Sequence, residues 1–489
     1  MRRADASSRR PRRRIPGDAS RHHSGPRAAS SRKHALIMRQ LSVPAYLMAC
    51  LLLGGASAAG YMANLTLQLA AILVLYIALF WRRRGPISPP SRQLLVLAAL
   101  FVGLFLIQIV PLPPALWTSL PGREPILRGF ELLGVPAPWL PISLNAQHTL
   151  ASLFWMLPAL AVLLGITLLG GYKASYLAWT ILAVAAVSVA VGGIQVAGGE
   201  NSPWYLYQIT NRGVAVGFFS NANHLATMLL AAIPLLTAVV LSERGRGKNT
   251  ARSSGIAVIG AAVFLVIALG LILNRSLAGW GLALPVLGAS LLLFLSHRRK
   301  LPKWALGGAA IAAVGGVALV LTAPLGNNLT TDEARTSSTS RYASFGRTLS
   351  ATPEYLPTGS GIGTFVDVYR SREDPSQITR FYMNHAHSDL LEVLLETGLF
   401  GAALLLLFLI WWTRRVFAIW HDAESDSFTK AATIVSATVM AHSLVDYPLR
   451  TVAISAIFAM SIALMAEPRA HSRRSKAKTE SDVRHLSAD

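Results

Sequence analysis

The chain is poor in cysteine and in charged residues. Cys50 is the one cysteine among 489 residues, so no intramolecular disulfide can form. Charged residues make up 14% of the sequence, whereas soluble domains carry about a quarter. Together with 53% hydrophobic residues and a mean hydropathy of +0.47, this deficit excludes an ordinary soluble domain and indicates membrane-spanning segments.

Acidic residues are especially scarce, with 23 Asp and Glu against 45 Lys and Arg and a net charge of +22. Such a charge suggests nucleic acid as a partner, but its distribution argues otherwise. Residues 1–39 hold twelve Lys or Arg against only Asp5 and Asp18, in a Pro/Ser/Arg-rich segment without apolar periodicity. We therefore predict a disordered tail whose partners are anionic membrane lipids, with no nucleic acid bound.

Twelve apolar runs are long enough to cross a membrane, for which roughly 15–25 residues suffice. They lie at about 42–59, 64–81, 92–111, 149–170, 174–196, 222–241, 255–273, 277–296, 304–323, 389–412, 430–445 and 452–466. The sequence thus predicts an all-α polytopic membrane protein with about twelve transmembrane helices.

The short basic loops indicate the orientation. If each run crosses the membrane once, these loops all fall on the side of the basic N-terminus: 82–84, 173, 244–248, 298–300 and 414–415. The positive-inside rule then places both termini and these basic loops in the cytoplasm, and the loops that alternate with them in the periplasm. The first run has a basic leader and ends in GASAAG, as a cleavable signal does. We expect it to be retained, because the leader is unusually long and a second run follows at once.

These features predict five regions. They are a disordered basic cytoplasmic tail at 1–40, nine transmembrane helices with periplasmic loops at 41–323, a large periplasmic loop at 324–388, three transmembrane helices at 389–466 and a second disordered cytoplasmic tail at 467–489.

The stretch NHAHSDLLEVLLETGLFGAALLLL contains the best candidate for chemistry. His387 lies where a polar segment meets an apolar helix, and histidine is the side chain most easily poised as a proton acceptor near neutral pH. Asp389 and Glu392 have the spacing of a helix capping box, while Glu392 or Glu396 could orient His387. His385 and His387 lack a third strong ligand nearby, so we predict no metal site.

Arginines on the outward loops are candidates for binding an anion. Arg212 precedes an apolar run, and Arg275 occupies a tight turn between two runs. A cation at the outer lipid boundary costs free energy unless it pairs with an anion or reaches lipid headgroups. Asn221 and Asn223 near Arg212 either contact a ligand or satisfy the backbone of a re-entrant turn.

The large loop contains Arg335, Arg341 and Arg347 at intervals of six residues, which do not share one helical face, so a solvated basic loop is the alternative to a site. Arg341 is singled out because it begins a segment expected to form an amphipathic helix toward Pro353. GSGIGTF, residues 359–365, lacks the Lys-Ser/Thr context of a phosphate-binding loop and is interpreted as a glycine turn.

Several of these motifs, in this order, resemble the O-antigen ligase and polymerase family. They are RGVAVGFFSNANH, the NRS turn and His387-Ser388-x9-Gly398-x2-Gly401, and HSLVDYPLR at 442–450 is similar as well. The family comprises bacterial inner-membrane glycosyltransferases that use glycans linked to polyprenyl diphosphates such as undecaprenyl diphosphate. Two departures are Ala222, where the family usually has proline, and Asn274, where serine is common.

The resemblance implies roles for particular residues. His387 would be the catalytic base, and Arg212, Arg275 and a loop arginine such as Arg341 would hold the diphosphate of the donor. The supporting residues would be Asn221, Asn223, Ser388, Glu392, Gly398 and Gly401. Arginines would replace a metal in stabilising the leaving group, so no cofactor is expected, and transfer would invert the anomeric centre.

Two questions stay open at this level. The acceptor hydroxyl could belong to lipid A core, as in lipopolysaccharide biosynthesis, to a growing exopolysaccharide or to a protein. The chain could instead be a transporter or flippase for a lipid-linked sugar, but transporters favour polar groups near the middle of the membrane. Here the apolar runs are nearly free of ionisable residues and the notable ones gather at one face, which favours an enzyme.

Overall fold

The computed structural model describes residues 26–57, 61–82, 85–170, 172–245, 250–296, 315, 343–373 and 383–467, with side chains from Gln40 onward apart from those of 245 and 250–252. The predicted span 304–323, except Gly315, and Arg335 and Arg341 lie outside these residues. The chain divides into two compact units, residues 1–38 and 39–489. The helices from the second onward and the candidate site lie in the second unit.

Helices make up most of the described residues. They are α1 (Pro26–Leu53), α2 (Met62–Phe80), α3 (Pro89–Gln108), α4 (Pro114–Trp117), α5 (Glu124–Leu133), α6 (Ala146–Leu164), α7 (Ala174–Ala197), α8 (Ala222–Gly245), α9 (Thr250–Asn274), α10 (Leu277–Ser296), α11 (Phe365–Arg370), α12 (Asp389–His421), α13 (Ser427–His442) and α14 (Val452–Ala466). A π-helical turn, Gly165–Leu169, extends α6, and 3-10 turns occupy Thr352–Tyr355 and Pro448–Arg450. Residues 343–351 are also helical. One antiparallel pair joins β1 (Pro111–Leu112) to β2 (Leu140–Pro141).

Several helices begin at polar side chains that accept hydrogen bonds from the first turn. Ser88 accepts from the Ser91 backbone N–H at the start of α3, and Asn145 accepts from that of His148 at the start of α6. Asp426 accepts from two backbone N–H groups at the start of α13. Such caps satisfy N–H groups that have no partner within the helix, so they fix where each helix begins.

Eight helices in the described residues are long and apolar enough to cross a membrane. They are α2, α3, α6 with its π turn, α7, α8, α9, α10 and α12. Their outer faces carry large apolar side chains such as Leu69, Leu265 and Phe400, which are 59%, 66% and 56% exposed. These faces suit contact with lipid chains. The described residues are thus mostly helical with apolar spanning helices, as the predicted all-α membrane architecture requires, apart from the short pair of β1 and β2.

The predicted spans and the helices correspond closely, except that the ninth span is not described. Two spans coincide with shorter apolar helices, Gln40–Leu53 and Val452–Ala466, and a third coincides with α13. The count of twelve spans and the orientation of the termini stay predictions.

Helix α8 is the centre of the bundle. In its most apolar stretch of 18 residues, 83% is buried inside the protein, against 17% in the corresponding stretch of α9. Helix α8 packs against α7, α9, α10 and α13. Hydrogen bonds then join chain segments at one end of this bundle. Asn274 at the end of α9 donates to the Ala222 carbonyl at the start of α8, and the Ala453 N–H donates to the Gly54 carbonyl. This end carries the candidate site.

Helix α12 is interrupted at Gly398, where φ is 59° and ψ is −145°. The glycine turn of residues 359–361 passes through the interruption: Ser360 N–H donates to the Leu395 carbonyl, and Gly361 N–H donates to that of Glu396. A Cβ on Gly398 would lie 2.2 Å from the Pro357 carbonyl oxygen, so no larger residue fits. The 359–365 segment is therefore a glycine turn, as predicted, and it locks the large loop onto α12.

Candidate active site

His387 lies beside a buried carboxylate. Its Nδ1 is 3.3 Å from Oδ1 of Asp446, which is fully buried, while 18% of the His387 side chain is exposed. The residue adopts a left-handed backbone conformation, with φ of 56°, two residues before α12 begins. A carboxylate at Nδ1 favours the tautomer with a proton on that nitrogen, which leaves Nε2 as a proton acceptor.

Asp446 is itself held in place by the start of α8. Asn223 Nδ2 donates to Asp446 Oδ2 at 2.7 Å, and Asn223 Oδ1 accepts from the Ser276 hydroxyl at 2.7 Å. Ser276 directly follows Arg275. A chain of contacts therefore runs from His387 through Asp446 and Asn223 to the turn that carries Arg275.

The ring of Tyr447 packs against the rings of three histidines. Its ring centroid is 4.4 Å from that of His385, 5.0 Å from that of His387 and 5.2 Å from that of His224. Burial, with a smaller contribution from the Asp446 charge, raises the pKa of Tyr447 to about 12, so the phenol stays protonated. Tyr447 thus holds the two site histidines in place without adding charge.

Arg450 lies among three carboxylates of α12. Its guanidinium nitrogens are 2.9 Å from Glu396, 3.1 Å from Glu392 and 3.7 Å from Asp389. Burial alone would lower the pKa of this guanidinium, but the carboxylates outweigh it and raise the pKa above its usual value. The cluster fixes the start of α12, and with it His387, against the segment that carries Asp446.

The expected helix cap and the expected partner of His387 were both wrong. Ser388, not Asp389, is the N-cap of α12 and accepts from Leu391 N–H. Glu392 instead accepts from Ala386 N–H at 2.7 Å and lies 3.2 Å from His385 Nδ1. Both Asp389 and Glu392 face the buried guanidinium of Arg450 instead of the N–H groups of the first helical turn.

The supporting residues of the predicted site have structural partners. The Asn221 side chain accepts from the Asn223 backbone N–H, as expected of a turn-forming asparagine. Gly401 is buried against the Thr397 side chain, with 1.7 Å between a built Cβ and Thr397 Oγ1. Gly398 accommodates the glycine turn described above.

The two described arginines of the prediction are exposed. Arg212 donates to the Glu200 carbonyl at 2.9 Å, and its guanidinium lies 5.3 Å from the centroid of the Tyr205 ring. Arg275 has φ of 55°, and its side chain makes no hydrogen bond or ion pair with any described residue. Neither arginine contacts His387 directly. Each arginine follows an asparagine whose side chain hydrogen bonds to the backbone of Ala222. Asn211 accepts from the Ala222 N–H, and Asn274 donates to the Ala222 carbonyl.

Arg341 of the large loop lies outside the described residues, whereas Arg347 of the same loop is described. Arg347 donates to the Tyr369 hydroxyl at 2.8 Å within the helical segment 343–351. That segment is the helix expected toward Pro353, although Arg341 precedes the described part. Arg123, which sequence reasoning missed, is buried and donates to the Ile142 carbonyl. Burial lowers the pKa of Arg123 to about 10, so the guanidinium stays charged. It joins the loop that contains Ile142 to the glycine turn by donating to the Ile142 and Gly359 carbonyls.

Within the described residues, no three His, Cys, Asp or Glu side chains are grouped as metal ligands. His385 and His387 face different carboxylates, Glu392 and Asp446.

Residues 261–406 match the family model described as O-Antigen ligase. This stretch belongs to the O-antigen ligase family. No curated protein matches the chain. The O-antigen ligase match includes Arg275, His387, Gly398 and the glycine turn, whereas Arg212, Asn223 and Asp446 lie outside it. It supports a glycan-transferring ligase or polymerase function in a bacterial membrane, with lipid-linked glycan and acceptor as the general substrates.

Proposed function

We propose that the protein transfers a glycan from a polyprenyl-diphosphate carrier to an acceptor hydroxyl at the periplasmic face, without a metal and with inversion. The observation that carries this proposal is the pairing of His387 Nδ1 with the buried Asp446 carboxylate. That pairing directs Nε2 toward an incoming hydroxyl group, as a general base requires.

In the proposed step, His387 Nε2 takes the proton of the acceptor hydroxyl as its oxygen attacks the anomeric carbon of the donor. The bond between that carbon and the diphosphate oxygen breaks, and the electron pair leaves with the diphosphate. Because the acceptor enters opposite the leaving group, the anomeric configuration inverts. Asp446 stabilises the imidazolium formed, which then releases its proton to water.

The leaving diphosphate gains negative charge, which cations must stabilise. Arg212 and Arg275 are exposed guanidinium groups on the segments that bracket the start of α8. Their planar donors suit bidentate contacts with phosphate oxygens. We assign them, with Arg341 of the large loop, to the diphosphate.

Replacing Arg212 or Arg275 with Lys should lower the transfer rate by roughly tenfold or more, since lysine keeps the charge but loses the planar fork. The measurement is glycan transfer by the purified full-length protein from a polyprenyl-diphosphate donor, with a chelator present throughout. NMR of the product reports the anomeric configuration.

Arg128→Lys on α5 is the matched control, because it makes the same change in another loop, and we expect it to retain the parental rate. If both site variants transfer glycan at the parental rate, the arginines do not bind the diphosphate. Retention of the donor's anomeric configuration would rule out the single displacement.

A further inference from the structure

A cavity of about 330 Å³ lies between α8, α9 and α10, away from the candidate active site. Its walls are largely apolar, and small residues of α9, Ala257, Gly260 and Ala261, leave the space open. The volume falls in the range of small-molecule binding sites. It accommodates part of one lipid chain.

The cavity belongs to the opposite half of the membrane from His387. Its lining on α8 runs from Ile233 to Arg244. Arg244 follows Asn223, a residue of the active-site network, by about 32 Å along the helix, at 1.5 Å per residue. That distance is close to the thickness of the hydrocarbon core, so a diphosphate held at the active site does not reach Arg244.

Two polar atoms of the cavity have no hydrogen-bond partner among the described residues. Arg244 Nε is buried and has no hydrogen-bond partner among the described residues, while the guanidinium lies 5.8 Å from the centroid of the Phe294 ring. The Ser290 hydroxyl, on a residue only 5% exposed, is likewise unpaired within the described part of the chain. Buried polar groups are normally hydrogen bonded, so an acceptor supplied by a ligand would satisfy Arg244 Nε.

We propose that this cavity binds an anionic phospholipid of the leaflet opposite the active site, with one acyl chain between the helices and its phosphate on Arg244. The sequence supplies the complementary charge: Arg244 begins RGRGK, residues 244–248, which carries three positive charges. Lipid phosphate is the anion that such juxtamembrane basic segments meet. The bound lipid would hold α8 against α9 and α10. At the far end of these helices lie Asn223 of α8 and the turn between α9 and α10, which contains Arg275 and Ser276.

Native mass spectrometry of the full-length protein with added dioleoyl phosphatidylglycerol tests the proposal, with dioleoyl phosphatidylcholine as the neutral comparison. Arg244→Gln should weaken phosphatidylglycerol binding about tenfold and leave phosphatidylcholine binding unchanged. Arg414→Gln is the matched control, because Arg414 is an exposed arginine of α12 that does not line the cavity. It should change the binding of either lipid by no more than about twofold. Ala261→Phe should block the cavity itself and release the tightly bound phosphatidylglycerol.

Equal binding of phosphatidylglycerol by Arg244→Gln and the parent protein would overturn the proposal. So would displacement of phosphatidylglycerol by equimolar undecaprenyl phosphate, which would assign the cavity to the carrier's tail. Monodisperse elution and an unchanged Tm of each variant keep misfolding apart from loss of binding. Because none of these residues belongs to the active site, the result is independent of the proposed transfer.

Discussion

Replacing His387 with Ala lowers the rate of glycan transfer about a hundredfold or more, because general-base catalysis contributes roughly 10²–10⁴ to a rate. His387 is partly exposed and its ring contacts Tyr447 at its edge, so insertion and abundance should be unchanged. The measurement is transfer by the purified variant, with abundance in the membrane measured in parallel.

His385→Ala is the matched control, since the His385 ring also packs against Tyr447 but its Nδ1 faces Glu392 instead of Asp446. We expect it to retain activity within about tenfold. A normal product from His387→Ala, or a larger loss from His385→Ala, would remove His387 as the base. Deletion in the native cell, followed by analysis of lipopolysaccharide, capsule and secreted polysaccharide, then identifies the acceptor.

Asp446→Asn should lower kcat by about a hundredfold or more with little change in KM. An amide at this position can accept from Asn223 only through its oxygen, so its NH₂ group faces His387 Nδ1. That arrangement forces the imidazole proton onto Nε2 and removes the acceptor for the hydroxyl proton. The measurement is the steady-state rate as a function of donor concentration.

The split between kcat and KM distinguishes a lost base from a disturbed fold. Asp446 is fully buried and also contacts the start of α8, so the Tm of the variant must be compared with that of the parent. Asn223→Ala removes a partner of Asp446 but leaves the carboxylate facing His387, and we expect a smaller loss. An Asp446→Asn protein with parental kcat would show that this carboxylate does not orient the base.

Much of the membrane architecture could be predicted from the sequence because apolar runs and helix length are local properties. The runs at 174–196 and 277–296 became α7 (Ala174–Ala197) and α10 (Leu277–Ser296) almost residue for residue. His387 could be singled out as a candidate for the same reason, since it adjoins an apolar run, and its role as the base stays a prediction. Tail disorder, the twelve-span count and the role of Arg341 stay predictions.

The network around His387 could not be predicted in detail because it depends on contacts between distant residues. Asp446 is 59 residues from His387, and Asn223 is 223 residues from Asp446. The segment HSLVDYPLR contains Asp446, Tyr447 and Arg450 between two apolar runs, which marks it as a candidate part of a site. The sequence does not show which residues these three side chains contact. Similarly, Asp389 and Glu392 have the spacing of a cap, and only the fold brings Arg450 to them.

The most direct test of the central claim is a cryo-EM structure of the His387→Ala protein in a lipid nanodisc with its polyprenyl-diphosphate glycan donor bound. We predict that the diphosphate lies within about 3 Å of the guanidinium groups of Arg212 and Arg275. The anomeric carbon should face position 387 with the diphosphate on its far side. A diphosphate bound at the opposite membrane face, or out of reach of both arginines, would contradict the account.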